Sequence, residues 1–209
     1  MTLVKSIKSR LSFMKREKKY KLFYFLIALS IISQVNNTLA QPIPTAVSNL
    51  LPKGYEVLNS AVGDLNLDAY PDLIIVLNKA NEAKTSEVSS HPEKRPLLIF
   101  TGGPGHSYRL EGRNDKAVYC VDCGGMMGDP FTGITIKKGY FSVEHYGGSG
   151  WRWTRVITFK YSTKDKIWLL YKDGHESFHV SDPENVKEKV YTAKNFGRIP
   201  FASFDIYKE

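Results

Sequence analysis

From residue 55 onward the apolar positions fall in short runs, without the three-to-four spacing of a helix. Tyr55-Glu-Val-Leu, Asp72-Leu-Ile-Ile-Val-Leu77 and Pro96-Leu-Leu-Ile-Phe100 are rich in branched residues and bounded by Gly, Pro, Asn and Asp, which marks strands. Tyr108-Arg-Leu-Glu, Gly133-Ile-Thr-Ile-Lys, Tyr140-Phe-Ser-Val-Glu-His, Trp151 to Tyr161 and Ile167-Trp-Leu-Leu-Tyr171 continue the series. In the longest, Trp151, Trp153, Arg155, Ile157, Phe159 and Tyr161 share one face by strict alternation. Lys138-Gly139, Ser162 to Lys166 and Asp173-Gly174 are tight turn signals, so neighbouring strands are expected to run antiparallel. Thr45 to Leu51 suits a short helix stopped by Pro52 and Gly54. Ala80 to Arg95 is polar without rhythm and reads as a flexible excursion. The expected fold is mainly β, an antiparallel sandwich or curled sheet with one or two short helices. Strands do not alternate with long helices, which argues against a parallel α/β fold.

The first forty residues have another pattern. A basic stretch precedes the apolar run Leu22 to Ile32, and a polar segment ending Thr38-Leu39-Ala40 follows. This is the layout of a secretory signal peptide cleaved after about Ala40. The run has 11 residues, against roughly 20 for a spanning helix; an uncleaved membrane anchor is the alternative. Met14 would also serve as a start. The expected organisation is a leader over 1–40 and a single domain over 41–209, with a periplasmic or secreted product that meets the membrane only during export.

Charge changes meaning once the leader is set apart. The chain carries +8, which by itself suggests nucleic acid or anionic membrane. Residues 1–21 hold eight basic residues against the single acid Glu17, hence +7, and from Gln41 onward only +1 remains. Nucleic acid is therefore set aside as a partner.

The sharpest constellation is the acidic loop Gly63-Asp-Leu-Asn-Leu-Asp-Ala-Tyr-Pro-Asp72, which runs straight into an apolar strand. Asp64, Asn66, Asp68 and Asp72 occupy loop positions 1, 3, 5 and 9, and the Tyr70 carbonyl occupies position 7. Calcium takes six to eight oxygens in such a tolerant arrangement. A turn capped by its own Asp and Asn side chains is the alternative. The segment resembles a single FG-GAP (VCBS-like) repeat. That resemblance implies calcium held by Asp64, Asn66, Asp68, Tyr70 and Asp72, and it covers only about residues 55–78. The repeats usually come in series and form a propeller, which one copy does not imply. Ala69 stands where the family usually has Gly.

Cys120 and Cys123, the only two cysteines, suit a small loop disulfide in an exported protein. Gly-Gly and Asp-Pro follow them, whereas a thioredoxin-like pair would open a helix. A zinc site would need two further ligands. His175-Glu-Ser-Phe-His179 spells H-E-x-x-H, a zinc motif only on a helix. On a strand the two imidazoles sit about 13 Å apart, and the turn-forming flanks favour a hairpin arm.

Glu144 to Trp153 places His145, Tyr146, Trp151 and Trp153 around a Gly-rich tip, a candidate surface for stacking on a sugar or gripping a protein. The same aromatics could instead fill a β core. The favoured functional expectation is an exported, non-enzymatic domain that binds a protein or glycan, of the inhibitor or immunity type, with calcium ordering one loop. The alternative is a secreted hydrolase using Asp122, Asp129, Glu144 and His145.

Overall fold

A computed structural model of the protein describes residues 43–208; the leader expected over 1–40 lies outside them. Among the described residues nine strands form two antiparallel sheets. The first is β1 (Glu56–Gly63), β2 (Asp72–Asn78), β3 (Leu97–Gly103) and β4 (Ser107–Asn114), side by side in chain order. The second is β5 (Phe131–Lys137), β6 (Tyr140–Gly148), β7 (Trp151–Ser162), β8 (Ile167–His179) and β9 (Asp182–Thr192), again in chain order. Both are meanders; short turns join β3 to β4 and link β5 through β9, while residues 64–71 and 79–96 make the longer connections from β1 to β2 and from β2 to β3. Three one-turn helices accompany them: α1 (Thr45–Ser48), α2 (Glu82–Thr85) and α3 (Ala193–Phe196). The expected mainly β, antiparallel architecture is the one found. Among the described residues no helix is long and apolar enough to cross a membrane.

Alternation builds the two apolar layers. One face of β2 and β3 carries Ile74, Val76, Leu97 and Ile99, which pack against Phe141, Val143, Ile157, Phe159, Trp168 and Leu170 of the second sheet. The opposite face carries Leu73, Ile75, Leu77, Leu98 and Phe100 and is covered by Val47 of α1, with Ile43, Leu51 and Tyr55 alongside. That double coverage explains why β2 and β3 read as continuous apolar runs rather than alternating ones.

The tail after α3 closes the sandwich. Phe201, Phe204 and Ile206 enter the shared core, and Phe201 meets Phe141 and Phe159 edge-on. Asn114 of β4 donates to the carbonyls of Phe201 and Phe204. Leu170 of β8 donates to Ile199 at 2.8 Å, and Ile206 donates to Lys116 at 2.9 Å. One short segment thus fastens an edge of each sheet.

Three expectations differ from the structure. Asp173-Gly174 is not a turn; β8 runs through it, because Arg155 on β7 holds the Asp173 carboxylate (3.0 and 2.7 Å) and removes the need for water there. β9 has no counterpart among the expected strands, since every residue from Asp182 to Tyr191 is exposed and no apolar rhythm marks it. The polar stretch 80–95 is anchored and is not a loose excursion. Arg95 is fully buried and grips Glu82 and Asp129, while Glu93, itself buried, accepts from Lys79 (2.7 Å) and Thr85 (2.9 Å). Burial opposes charge on Arg95, yet Asp129 and Glu82 outweigh it and hold the guanidinium above its usual pKa.

Candidate functional site

The five-stranded sheet is longer than the sandwich. On its inner face Phe159, Ile157, Trp168 and Leu170 are buried at one end of β7 and β8. Toward the other end Arg155, Trp153, His175 and Ser177 are only partly buried, and Trp151 is 53% exposed. Cross-strand pairing puts these residues on one face in rows: His145, Arg155, His175 and Lys189; then Gly147, Trp153, Ser177 and Lys187. The overhanging face forms an open groove of about 450 Å³.

Tyr119 forms one wall. It meets His145, Trp153 and Tyr207 edge-on, with ring centroids 5.0, 5.9 and 5.7 Å apart. Its hydroxyl accepts from Arg155 at 2.6 Å. Arg155 also donates to the Ile206 carbonyl at 2.9 Å and pairs with Asp173 through Nε and Nη2. Burial works against its charge, and Asp173 and Tyr119 more than restore it. Gly147 makes room for the floor: a Cβ there would sit 2.5 Å from the Trp153 ring and 3.0 Å from Gly124. The rim is cationic. Lys187 lies 5.2 Å above the Trp151 ring, and among the described residues neither Lys187 nor Lys189 has a carboxylate within ion-pair distance.

The four residues of the expected aromatic surface are not brought together. Trp151 and Trp153 share the groove face. His145 is only 2% exposed, packed edge-on against Tyr119 and Phe131 with its Nε2 accepting from the Tyr119 amide, so it belongs to the interior. Burial, and then the nearby Arg155 charge, push its pKa down to about 3. Tyr146 follows His145 in β6 and therefore faces the opposite side. Arg155, Asp173, Lys187 and Lys189 were not anticipated. The Lys-Glu-Lys alternation of 187–189 was the available signal, and it was missed because no apolar partner marked a strand.

Cys120 and Cys123 are joined in a disulfide, and the loop beyond it packs beneath the Gly-rich tip, Gly148 donating to Gly124. Asp122, between the cysteines, accepts from Ser86 Oγ (2.6 Å) and the Val88 amide (2.7 Å). Asp129 is taken by Arg95, and Glu144 and His145, as successive strand residues, face opposite ways. The side chains of the hydrolase alternative thus hold separate positions. His175 and His179 both lie in β8; His175 pairs with Asp173 at 3.1 Å and His179 bonds Ser181.

The acidic loop holds itself through its own side chains. Asp64 accepts from the Leu67 amide (2.7 Å), Asn66 from the Asp68 amide (3.1 Å), and Asp68 from the Tyr70 amide (2.9 Å). Asp72 is fully buried and accepts three amides, from Leu65, Asn66 and Gly102. It clasps the loop's start to β3. Gly102 is required there, since a Cβ would lie 2.1 Å from the Pro71 carbonyl. Burial raises the Asp72 pKa, the three amides pull against it, and Asp68 adds to the rise. Leu67 and Ala69 take left-handed backbone, φ 68° and 70°. Among the described residues no three His, Cys, Asp or Glu side chains converge as a metal-holding group. One side-chain oxygen each of Asp64, Asn66 and Asp68 accepts a backbone amide within the loop, so the turn caps itself.

A scan against protein-family models, a search of curated proteins and a search of solved structures each return no match to this chain.

Proposed function

We propose that the protein is an exported, non-enzymatic binding domain whose partner, a protein or a glycan, is gripped in the groove over β7 to β9. The observation that carries the reading is the overhang: a sheet face that is core at one end continues as an open floor bearing Trp153 and Tyr119 under a rim of lysines. A flat aromatic contributes large contact area at low entropy cost, and cations fix orientation and speed encounter with an anionic partner. The basic-apolar-polar layout of residues 1–40 supports export. The test is an array of glycans and acidic peptides probed with the wild-type protein, Trp153→Ala and the double variant K187E/K189E. Ligands held by wild type and lost by both variants, at unchanged melting temperature, support the groove. Ligands held equally by all three place the binding site elsewhere.

Calcium belongs to this reading as a second element, an ion that would stiffen the acidic loop through Asp64, Asn66, Asp68, Asp72 and the Tyr70 carbonyl. The mutual pressure of Asp68 on the raised Asp72 carboxyl favours a cation nearby. Because the loop is already self-capped, the ion's role would be structural. Melting in calcium and in chelator, for wild type and Asp68→Ala, tests it. A calcium-dependent rise in wild type alone supports the ion, and equal melting in all conditions removes it.

A further inference from the structure

Among the described residues β9 is the outer edge of its sheet: β8 pairs with one side, and the other side carries no strand. The strand is 11 residues long and exposed on both faces. Such an edge presents a row of unpaired amides and carbonyls, a template for another extended chain. Its charges are sorted by parity. Over the regularly paired stretch, Lys187 and Lys189 point to the groove face and Glu188 points to the other.

That sorting discriminates among occupants. Two copies joined edge to edge by a two-fold axis through the sheet pair residues of equal parity. Within the regularly paired stretch from Lys187 to Thr192, such a register sets a lysine against a lysine or Tyr191 and never against an acid. Registers centred on 187 or 189 set a lysine against itself, and one centred on 188 sets Lys187 against Lys189 and Glu188 against itself. Like charges directly opposite are destabilising. A second copy is therefore a poor fit. The sequence Lys187-Glu188-Lys189 is complemented instead by Glu-Lys-Glu on an extended segment, which sets an opposite charge against each residue in turn. On the groove face such a strand would place its two carboxylates beside lysines that have no acid partner among the described residues, one of them stacked over Trp151.

We infer that the partner is a protein that adds an extended segment to β9, with acidic residues at alternate positions facing the groove and a basic residue between them. This rests on the groove being the binding site and assigns its occupant. Main-chain hydrogen bonds supply affinity, and the lysine pair supplies register and sequence preference.

The test is calorimetric titration of the protein with an acetylated, amidated eight-residue peptide carrying Glu-Lys-Glu between Thr and Val residues. Four further probes are the Gln-Lys-Gln analogue, two versions N-methylated on alternate amides in either phase, and a heparin fragment as a polyanion that cannot add a strand. The parent peptide is expected to bind. The Gln analogue and one of the two N-methylated versions should bind about tenfold or more weakly, a loss of about 1.4 kcal/mol. The variant K187E/K189E, which presents Glu-Glu-Glu, should prefer a Lys-Lys-Lys peptide. No binding of the parent peptide, equal binding of both N-methylated versions and the parent, or an unchanged preference in K187E/K189E overturns strand addition. Heparin binding that is lost in K187E/K189E while all peptides fail would leave the groove as a glycan site. Failure of heparin as well would remove the groove itself.

Discussion

His145 should make the protein acid-labile in a way that one substitution can isolate. The imidazole is buried against Tyr119 and Phe131 and stays neutral down to about pH 3, whereas in the unfolded chain it titrates at 6.5. Between those values the unfolded state binds a proton that the folded state refuses. Stability therefore falls as pH drops below 6.5 and stops falling near 3. The slope approaches about 1.4 kcal/mol per pH unit, which gives a loss of about 2 kcal/mol from pH 7 to pH 5 and about 3 kcal/mol by pH 4. His145→Phe removes the titration but also the acceptor for the Tyr119 amide, a pH-independent cost of about 1–3 kcal/mol. Urea unfolding of both proteins at pH 7, 6, 5 and 4 would show wild type ahead at neutral pH and the gap closing by about 2 kcal/mol at pH 5. Carboxylates titrate alike in both proteins and cancel in the difference. Parallel curves would mean that the imidazole reaches solvent or finds a partner in its charged form, and the burial reasoning would fail.

The buried charges and the acidic loop set further expected outcomes. Arg95→Met leaves Glu82 buried without its cation and should cost about 3–5 kcal/mol in denaturant unfolding; adding Glu82→Leu should recover part of it, because the Asp129 side chain is 36% exposed and can rehydrate. Ala69→Gly should raise the free energy of denaturant unfolding by about 0.5–1 kcal/mol, since the left-handed backbone strains Ala by about 1–2 kcal/mol and the greater unfolded entropy of Gly offsets part of that. Asp72→Asn turns an amide group toward one of three backbone donors, and thermal melting should register a loss of about 1–3 kcal/mol.

What the sequence disclosed tracks where the chain satisfies its own needs locally. Strands β2, β3, β6 and β7 announce themselves because burial selects apolar residues at period one or two. The loop at 64–72 and the two cysteines are legible because their chemistry lies within a few residues. β9 is silent because an edge strand exposed on both faces needs no apolar position. Asp173-Gly174 misleads because the residue that keeps Asp173 in the sheet, Arg155, is 18 positions away. His145 and Tyr146 look alike as aromatic neighbours of a flexible tip, and only the pleat sends one inward and the other outward. The anchoring of Ala80 to Arg95 depends on Asp129, 34 positions beyond Arg95, a distance over which no local pattern survives.

The fastening by residues 199–206 bears on how the protein is made. Each sheet is a meander whose strands pair with their immediate predecessors, so hairpins form from chain already at hand. The core between the sheets is different: Phe201, Phe204 and Ile206 complete it, and Asn114 and Arg155 wait for carbonyls that come later in the chain. A ribosome must pass Ile206, and the following residues must clear its exit, before the two layers can lock. Until then the chain holds nascent hairpins without a closed interior, and that interval is when chaperones would find its apolar faces uncovered.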